Sequence, residues 1–191
     1  MKESHKNFGR KLLSPLTSLI IALKITPNML TIGSLPMSIL AGYFLYQGQW
    51  WLAIIFLIIV ALLDTLDGEV ARKTEKMHKY GAFLDSVIDR ISEFFIFLGL
   101  FLYYYPRQLL SILVFITIFS SILVSYIRAR AEGIGQECKI GLFERPIRFV
   151  TMLLGLIILG RSYFHYALLV ILLGNIITIF QRIFYVLNKT N

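Results

Sequence analysis

The sequence predicts an all-α integral membrane protein, with six transmembrane helices preceded by an amphipathic helix lying in the interface. Three observations predict it. The chain of 191 residues is 57% hydrophobic and only 16% charged, where a soluble domain is about 45–50% apolar and about 25% charged. Its mean hydropathy is +0.73. The apolar residues gather into stretches of the ~20 residues that one bilayer crossing needs. The same composition excludes disorder, a disulfide scaffold and a collagen-like fibre. The single cysteine, Cys138, allows neither an intramolecular disulfide nor a cysteine zinc site. In so apolar a chain, the net charge of +8 reads as cytoplasmic loops and anionic headgroups, with no nucleic-acid partner.

The chain opens on Lys2, Lys6, Arg10 and Lys11, followed by a mostly apolar run, Leu16–Ile25, interrupted by Lys24. That run is too short to span and predicts an interfacial helix within residues 1–26. No A-x-A-like cleavage site follows it, so it is not read as a signal peptide. Pro27 breaks the chain before the first span. Spans are expected over Asn28–Gln47, Trp50–Ala71, Gly81–Tyr105, Gln108–Arg130, Leu142–Gly160 and Tyr163–Leu187. With no repeat and no linker, residues 1–191 form one domain, and 28–189 are its six-helix bundle. Of the 19 Lys and Arg residues, only Arg107 and Arg161 fall opposite the side shared by the two termini. That asymmetry makes the shared side cytoplasmic. Trp50, Trp51 and Tyr103–Tyr105 then fit an aromatic belt at the outer face.

The chemistry is concentrated where the second span ends and the third begins. Leu63-Asp64-Thr65-Leu66-Asp67-Gly68-Glu69-Val70-Ala71-Arg72 is followed, eight residues on, by Gly81-Ala82-Phe83-Leu84-Asp85-Ser86-Val87-Ile88-Asp89-Arg90. Asp64 and Asp67 are i,i+3, and Asp85 and Asp89 are i,i+4, so each pair shares a helix face. A short loop makes the two helices antiparallel neighbours, and four carboxylates can converge. An ionised Asp costs roughly 2.5–3.5 kcal/mol at the centre of a spanning helix, less near the interface. Arg72 and Arg90 could neutralise two of the four. The all-oxygen set better suits hard divalent cations, Mg²⁺ or Mn²⁺. Two such ions about 3.5–4 Å apart are a common arrangement for phosphoryl transfer. Gly68, Ala71 and Gly81 remove bulk beside the acids and let a phosphate or a flat base approach the backbone.

This pattern, D-x2-D-G-x2-A-R-x8-G-x3-D-x3-D, resembles the motif of the CDP-alcohol phosphotransferases, with every fixed position met from Asp64 to Asp89. The resemblance implies transfer of a substituted phosphoryl group from a CDP-alcohol to a second alcohol, with release of CMP. It also implies two metal ions and a homodimer. It makes Asp64 and Asp85 ligands to both metals, Asp67 a ligand to the first, and Asp89 a ligand to the second and the general base. It assigns Gly68, Ala71, Arg72 and Gly81 to the CDP-lipid site, joined by Pro27, Asn28 and Thr31 from a P-N-x-x-T stretch, and by His78. Read locally, Asn28 is equally a helix N-cap and His78 a solvated loop residue.

The acceptor is addressed by a second cluster, Ser125-Tyr126-Ile127-Arg128-Ala129-Arg130-Ala131-Glu132-Gly133 and Gly141-Leu142-Phe143-Glu144-Arg145-Pro146-Ile147-Arg148, with Arg182 in the last span. Arg binds phosphate bidentately, so converging Arg residues suggest an acceptor that itself carries phosphate. The two strings resemble the phosphatidylinositol-phosphate synthase branch and its archaetidylinositol-phosphate relatives. There Arg128, Arg130, Arg145 and Arg182 would hold inositol 1-phosphate, and the partners would be that polyol phosphate, a CDP-lipid (CDP-diacylglycerol or CDP-archaeol) and the bilayer. Glycerol 3-phosphate, the acceptor of a phosphatidylglycerophosphate synthase, is the competing choice. A membrane prenyltransferase normally needs about nine spans and a different Asp spacing. A divalent-cation transporter needs carboxylates nearer the bilayer middle.

Overall fold

The computed structural model describes residues 14–74 and 78–190, and among these there is no strand. Lys2, Lys6, Arg10, Lys11 and Lys76 lie outside the described residues. Residues 14–22 form α1. It is followed by α2 (Pro27–Tyr46), α3 (Trp50–Lys73), α4 (Lys79–Tyr104), α5 (Gln108–Gly133), α6 (Arg145–Ile158) and α7 (Gly160–Thr190). Four of these, α2, α3, α5 and α7, are long and apolar enough to cross a membrane. Their outward faces carry large apolar residues such as Leu109, Phe115, Phe119 and Leu173. This is an all-helical membrane protein.

The boundaries have local causes. Thr26 caps α2 by accepting the Met29 amide, with Pro27 in the first turn. Pro fits there because its missing N–H would be unpaired anyway. α3 ends after Arg72 and Lys73, which suit the negative end of a helix dipole. α6 begins at Arg145, three residues later than the expected Leu142, because residues 134–144 form an irregular segment before it. At 14 residues, it is about 21 Å long. It passes into α7 through Leu159 and Gly160, whose φ of +59° is the left-handed conformation that glycine adopts freely at a helix end.

The helices close into a ring. α2 packs on both α3 and α4, α4 on α5, α5 on α7, α7 on α6, and α6 on α3. α3 and α4, expected as neighbours, both pack along α2 and meet at their carboxylate-bearing ends, where Asp64 comes beside Asp85 and Asp89. The α2–α4 packing rests on a glycine contact. A Cβ on Gly99 would overlap the Gly42 carbonyl, and one on Gly42 would overlap the Phe95 carbonyl. α2 and α4 therefore touch backbone to backbone, a packing that membrane helices achieve through small residues. Gly99→Ala would have to push the two backbones apart. It is expected to cost about 1–3 kcal/mol, seen as a lower unfolding temperature in detergent.

The ring's core runs through Leu45, Leu57, Leu100, Val114, Phe164 and Leu168. A smaller cluster of Ile20, Leu30, Leu66 and Val70 docks α1 onto α2 and α3. The aromatic belt needs correction as well. Trp51 and Tyr105 are exposed, but Trp50 and Tyr104 are buried. Trp50 packs edge-on against Tyr103 and Phe164. Successive helix residues point about 100° apart, so adjacent aromatics cannot all face lipid.

Candidate active site

One end of the ring gathers the start of α2, the end of α3, and the starts of α4 and α6. One carboxylate oxygen from each of Asp64, Asp85 and Asp89 lies within 4.8 Å of the others. Asp67 stands beside this trio, its Oδ2 accepting a 2.7 Å hydrogen bond from Thr31 Oγ1. The donor set consists of carboxylate oxygens alone, which fits hard divalent cations. Asp64, Asp85 and Asp89 have the spacing to share an ion, and Asp67 is oriented by α2.

A pocket of about 200 Å³ opens next to the carboxylates. It is lined by Pro27, Asn28, Thr31, Gly68, Ala71, Arg72, His78 and Gly81, together with Asp67, Ala82 and Asp85. All eight residues assigned from sequence to the CDP-lipid site thus face one cavity. Thr26 caps α2, so Asn28 is not spent as an N-cap. His78 occupies the N-cap position of α4 but makes no side-chain capping bond, and its imidazole is left for the pocket. A side chain at Gly81 would approach Asn28 Oδ1 to 3.4 Å, so glycine keeps that wall open. Arg72 is held at 2.7 Å by Glu69, one turn back, with its guanidinium partly exposed at the rim.

Of the two arginines beside the carboxylates in sequence, only Arg90 reaches them, and only at the limit of an ion pair. Arg72 is paired with Glu69. Arg90 donates to Ser86 O and Oγ and stays 4.0 Å from Asp89. The closer counter-charge is Arg145, in the first turn of α6. Its Nη1 is 3.0 Å from Asp64 Oδ1 and its Nη2 2.7 Å from Asp89 Oδ1. Behind it, Arg148 is buried and pairs with Glu93 at 3.3 Å. This pair escaped the sequence reading although a signal was present. Asp85, Asp89 and Glu93 form an acidic row at i, i+4 and i+8 on α4, and Arg145 and Arg148 form a basic row at i and i+3 on α6.

The remaining arginines do not join Arg145 at the acids. Arg128 is paired with Glu132 at 2.9 Å, and Arg130 is exposed on the same end of α5. Arg182 is only 2% exposed. It donates to the carbonyls of Ile140 and Val124, with Nη2 at 3.9 Å from Glu144. Arg128 and Arg148 lie within its electrostatic reach.

The sequence model of the CDP-alcohol phosphatidyltransferases matches residues 24–186. The chain belongs to this family. It is an enzyme that moves a phosphatidyl group from a CDP-lipid to an alcohol and releases CMP. Among its relatives, the archaetidylinositol phosphate synthase of Pyrococcus horikoshii is 42% identical over 134 residues, covering 70% of each chain. The phosphatidylinositol phosphate synthase of Corynebacterium glutamicum is 33% identical over 188 residues, covering 92% of this chain and 85% of its own. Among solved structures, the Mycobacterium tuberculosis phosphatidylinositol phosphate synthase with CDP-DAG bound superimposes with a TM-score of 0.83 at 26% identity, covering 92% of this phosphatidyltransferase and 94% of its own chain. The same enzyme in complex with manganese and citrate gives 0.82 at 27% identity, covering 90% and 87%.

Proposed function

We propose that this phosphatidyltransferase uses inositol 1-phosphate as its acceptor and forms a phosphatidyl- or archaetidylinositol phosphate. The observation that carries the reading is Arg145, a guanidinium hydrogen-bonded within the carboxylate cluster. It can bring an acceptor's phosphate, and so its hydroxyl, to the acids. The named relatives that make inositol phosphate lipids support the same choice.

The acceptor hydroxyl oxygen attacks the phosphorus that carries the lipid. A new P–O bond forms, the P–O bond to CMP breaks, and the hydroxyl proton passes to Asp89. A hydroxyl is far less acidic than a carboxylic acid, so a base within hydrogen-bond reach is required. The CDP moiety lies in the pocket between Asn28, Gly68, Ala71 and Gly81, with Arg72 on the phosphates at its rim. Two divalent cations, Mg²⁺ or Mn²⁺, held by Asp64, Asp67, Asp85 and Asp89, would neutralise the pyrophosphate and stabilise the charge on departing CMP. A groove of about 180 Å³ between α3 and α6, lined by Asp64, Arg145, Val60, Pro146 and Val150, suits the lipid end. The distribution of Lys and Arg supports six crossings from α2 to α7, with both termini and the site at the cytoplasmic face of the cell membrane. The family resemblance supports a homodimer.

Thr31 has a defined part in this scheme, because its hydroxyl orients Asp67. Thr31→Val keeps the shape and removes the hydrogen bond. Loss of such a supporting bond typically lowers metal affinity about 10–100-fold. A Mn²⁺ titration of the purified protein checks it.

The acceptor is tested by CMP release from CDP-diacylglycerol with Mg²⁺ and one acceptor at a time: inositol 1-phosphate, glycerol 3-phosphate, inositol or serine. Release with the inositol phosphate alone is expected. Release with only another acceptor would overturn the assignment and leave the family reaction intact.

A further inference from the structure

Residues 134–144 connect α5 to α6 without helical structure, yet their backbone is gripped by α7. The Phe143 amide donates to Thr178 Oγ1 at 2.9 Å, and the Leu142 amide to Gln181 Oε1 at 3.2 Å. Arg182 donates through Nε to the Ile140 carbonyl at 2.8 Å and through Nη1 to the Val124 carbonyl at 2.6 Å. Thr178, Gln181 and Arg182 stand at i, i+3 and i+4, one face of α7. The Thr178 hydroxyl gives its own proton to Gly174 O at 2.8 Å, which turns its lone pairs toward Phe143. Packing fixes the same register. The Phe143 ring lies where a Cβ on Gly174 would be, and Gly141 passes directly over Thr178. Arg148 closes the clasp by donating to the Phe143 carbonyl at 3.2 Å.

Irregular backbone inside a membrane protein must find its hydrogen bonds within the protein. From Ile140 to Phe143 this segment finds them on α7, with Arg148 of α6 on the Phe143 carbonyl, and two residues beyond Phe143 stands Arg145. A slip of one residue along an extended segment is about 3.3 Å. That is enough to break the hydrogen bond from Arg145 to Asp64 and its ion pair with Asp89.

We infer that Thr178 and Gln181 are positioning residues for acceptor use: they hold the 140–143 backbone in the register that delivers Arg145 to the carboxylates, and Arg182 braces the same segment. The inference rests on the proposed role of Arg145 at the acceptor phosphate. It gives Arg182 an action through the backbone.

The test is Thr178→Val, which keeps the methyl and the shape but removes the acceptor oxygen. Steady-state CMP release is measured with CDP-diacylglycerol and inositol 1-phosphate. Loss of the clasp is expected to raise the acceptor KM about five- to tenfold, the scale of one hydrogen bond, while the CDP-lipid KM changes by less than about twofold. Thr178→Ser should restore the acceptor KM. In Arg145→Ala protein, Thr178→Val should add nothing further, because both changes act through one side chain. Equal rises in both KM values, unchanged kinetics, or an effect that multiplies on the Arg145→Ala background would each overturn the inference. If Thr178→Val does not fold, Gln181→Met is read by the same split. If the wild type releases no CMP with any acceptor, the acceptor reading fails by itself. The clasp is then read by amide exchange across residues 140–145: faster exchange in Thr178→Val supports it, and unchanged exchange overturns it.

Discussion

Asp89→Asn is expected to retain CDP-lipid binding and to lose turnover by about 10²–10⁴-fold, the range supplied by a well-placed general base. The amide matches the carboxylate in size and can accept a hydrogen bond from Arg145, now at 2.7 Å from Asp89 Oδ1. It cannot take the acceptor's proton. The pocket that would hold the nucleotide is lined by Asp67 and Asp85, without Asp89, so CDP-lipid affinity should survive. Binding by calorimetry in detergent and CMP release on the same preparation separate the two effects. Full activity in this variant would remove Asp89 from the base role.

Arg145→Ala carries the second large effect. Its guanidinium is mostly buried, hydrogen-bonded to Asp64 and ion-paired with Asp89. A charge-assisted contact to phosphate is worth about 1.5–3 kcal/mol. The acceptor KM should therefore rise about 10–100-fold, with the CDP-lipid KM nearly unchanged. Arg145→Lys should recover only part of this, since one ammonium cannot span two carboxylates as a planar guanidinium does. Parallel loss for both substrates would assign Arg145 to the carboxylates alone and remove it from the acceptor.

Much of this architecture could be read from local spacing. The i,i+3 and i,i+4 pairs put Asp64 and Asp67, then Asp85 and Asp89, on common faces, because helix geometry fixes neighbours three and four apart. The glycines and Ala71 of the pocket stood out for the same reason, as gaps beside the acids. Distant pairings were harder. That α2 packs so closely on α4 depends on Gly42 meeting Gly99, a contact across 57 positions that no periodicity announces. The partner of Asp64 is Arg145, 81 residues away, whereas sequence proximity favoured Arg72 and Arg90. Arg182, expected at the acceptor phosphate, also holds two backbone carbonyls, and carbonyl oxygens leave no mark in a sequence. Its engagement with Ile140 and Val124 follows from the fold of the segment before α6.

The most direct test of the central claim is a phosphorus NMR spectrum of the products from purified protein, CDP-diacylglycerol, Mg²⁺ and inositol 1-phosphate. The predicted result is CMP together with a new phosphodiester whose inositol retains its phosphomonoester, both absent in Asp89→Asn. CMP appearing with phosphatidic acid and no new diester, or no change in the spectrum at all, would contradict it.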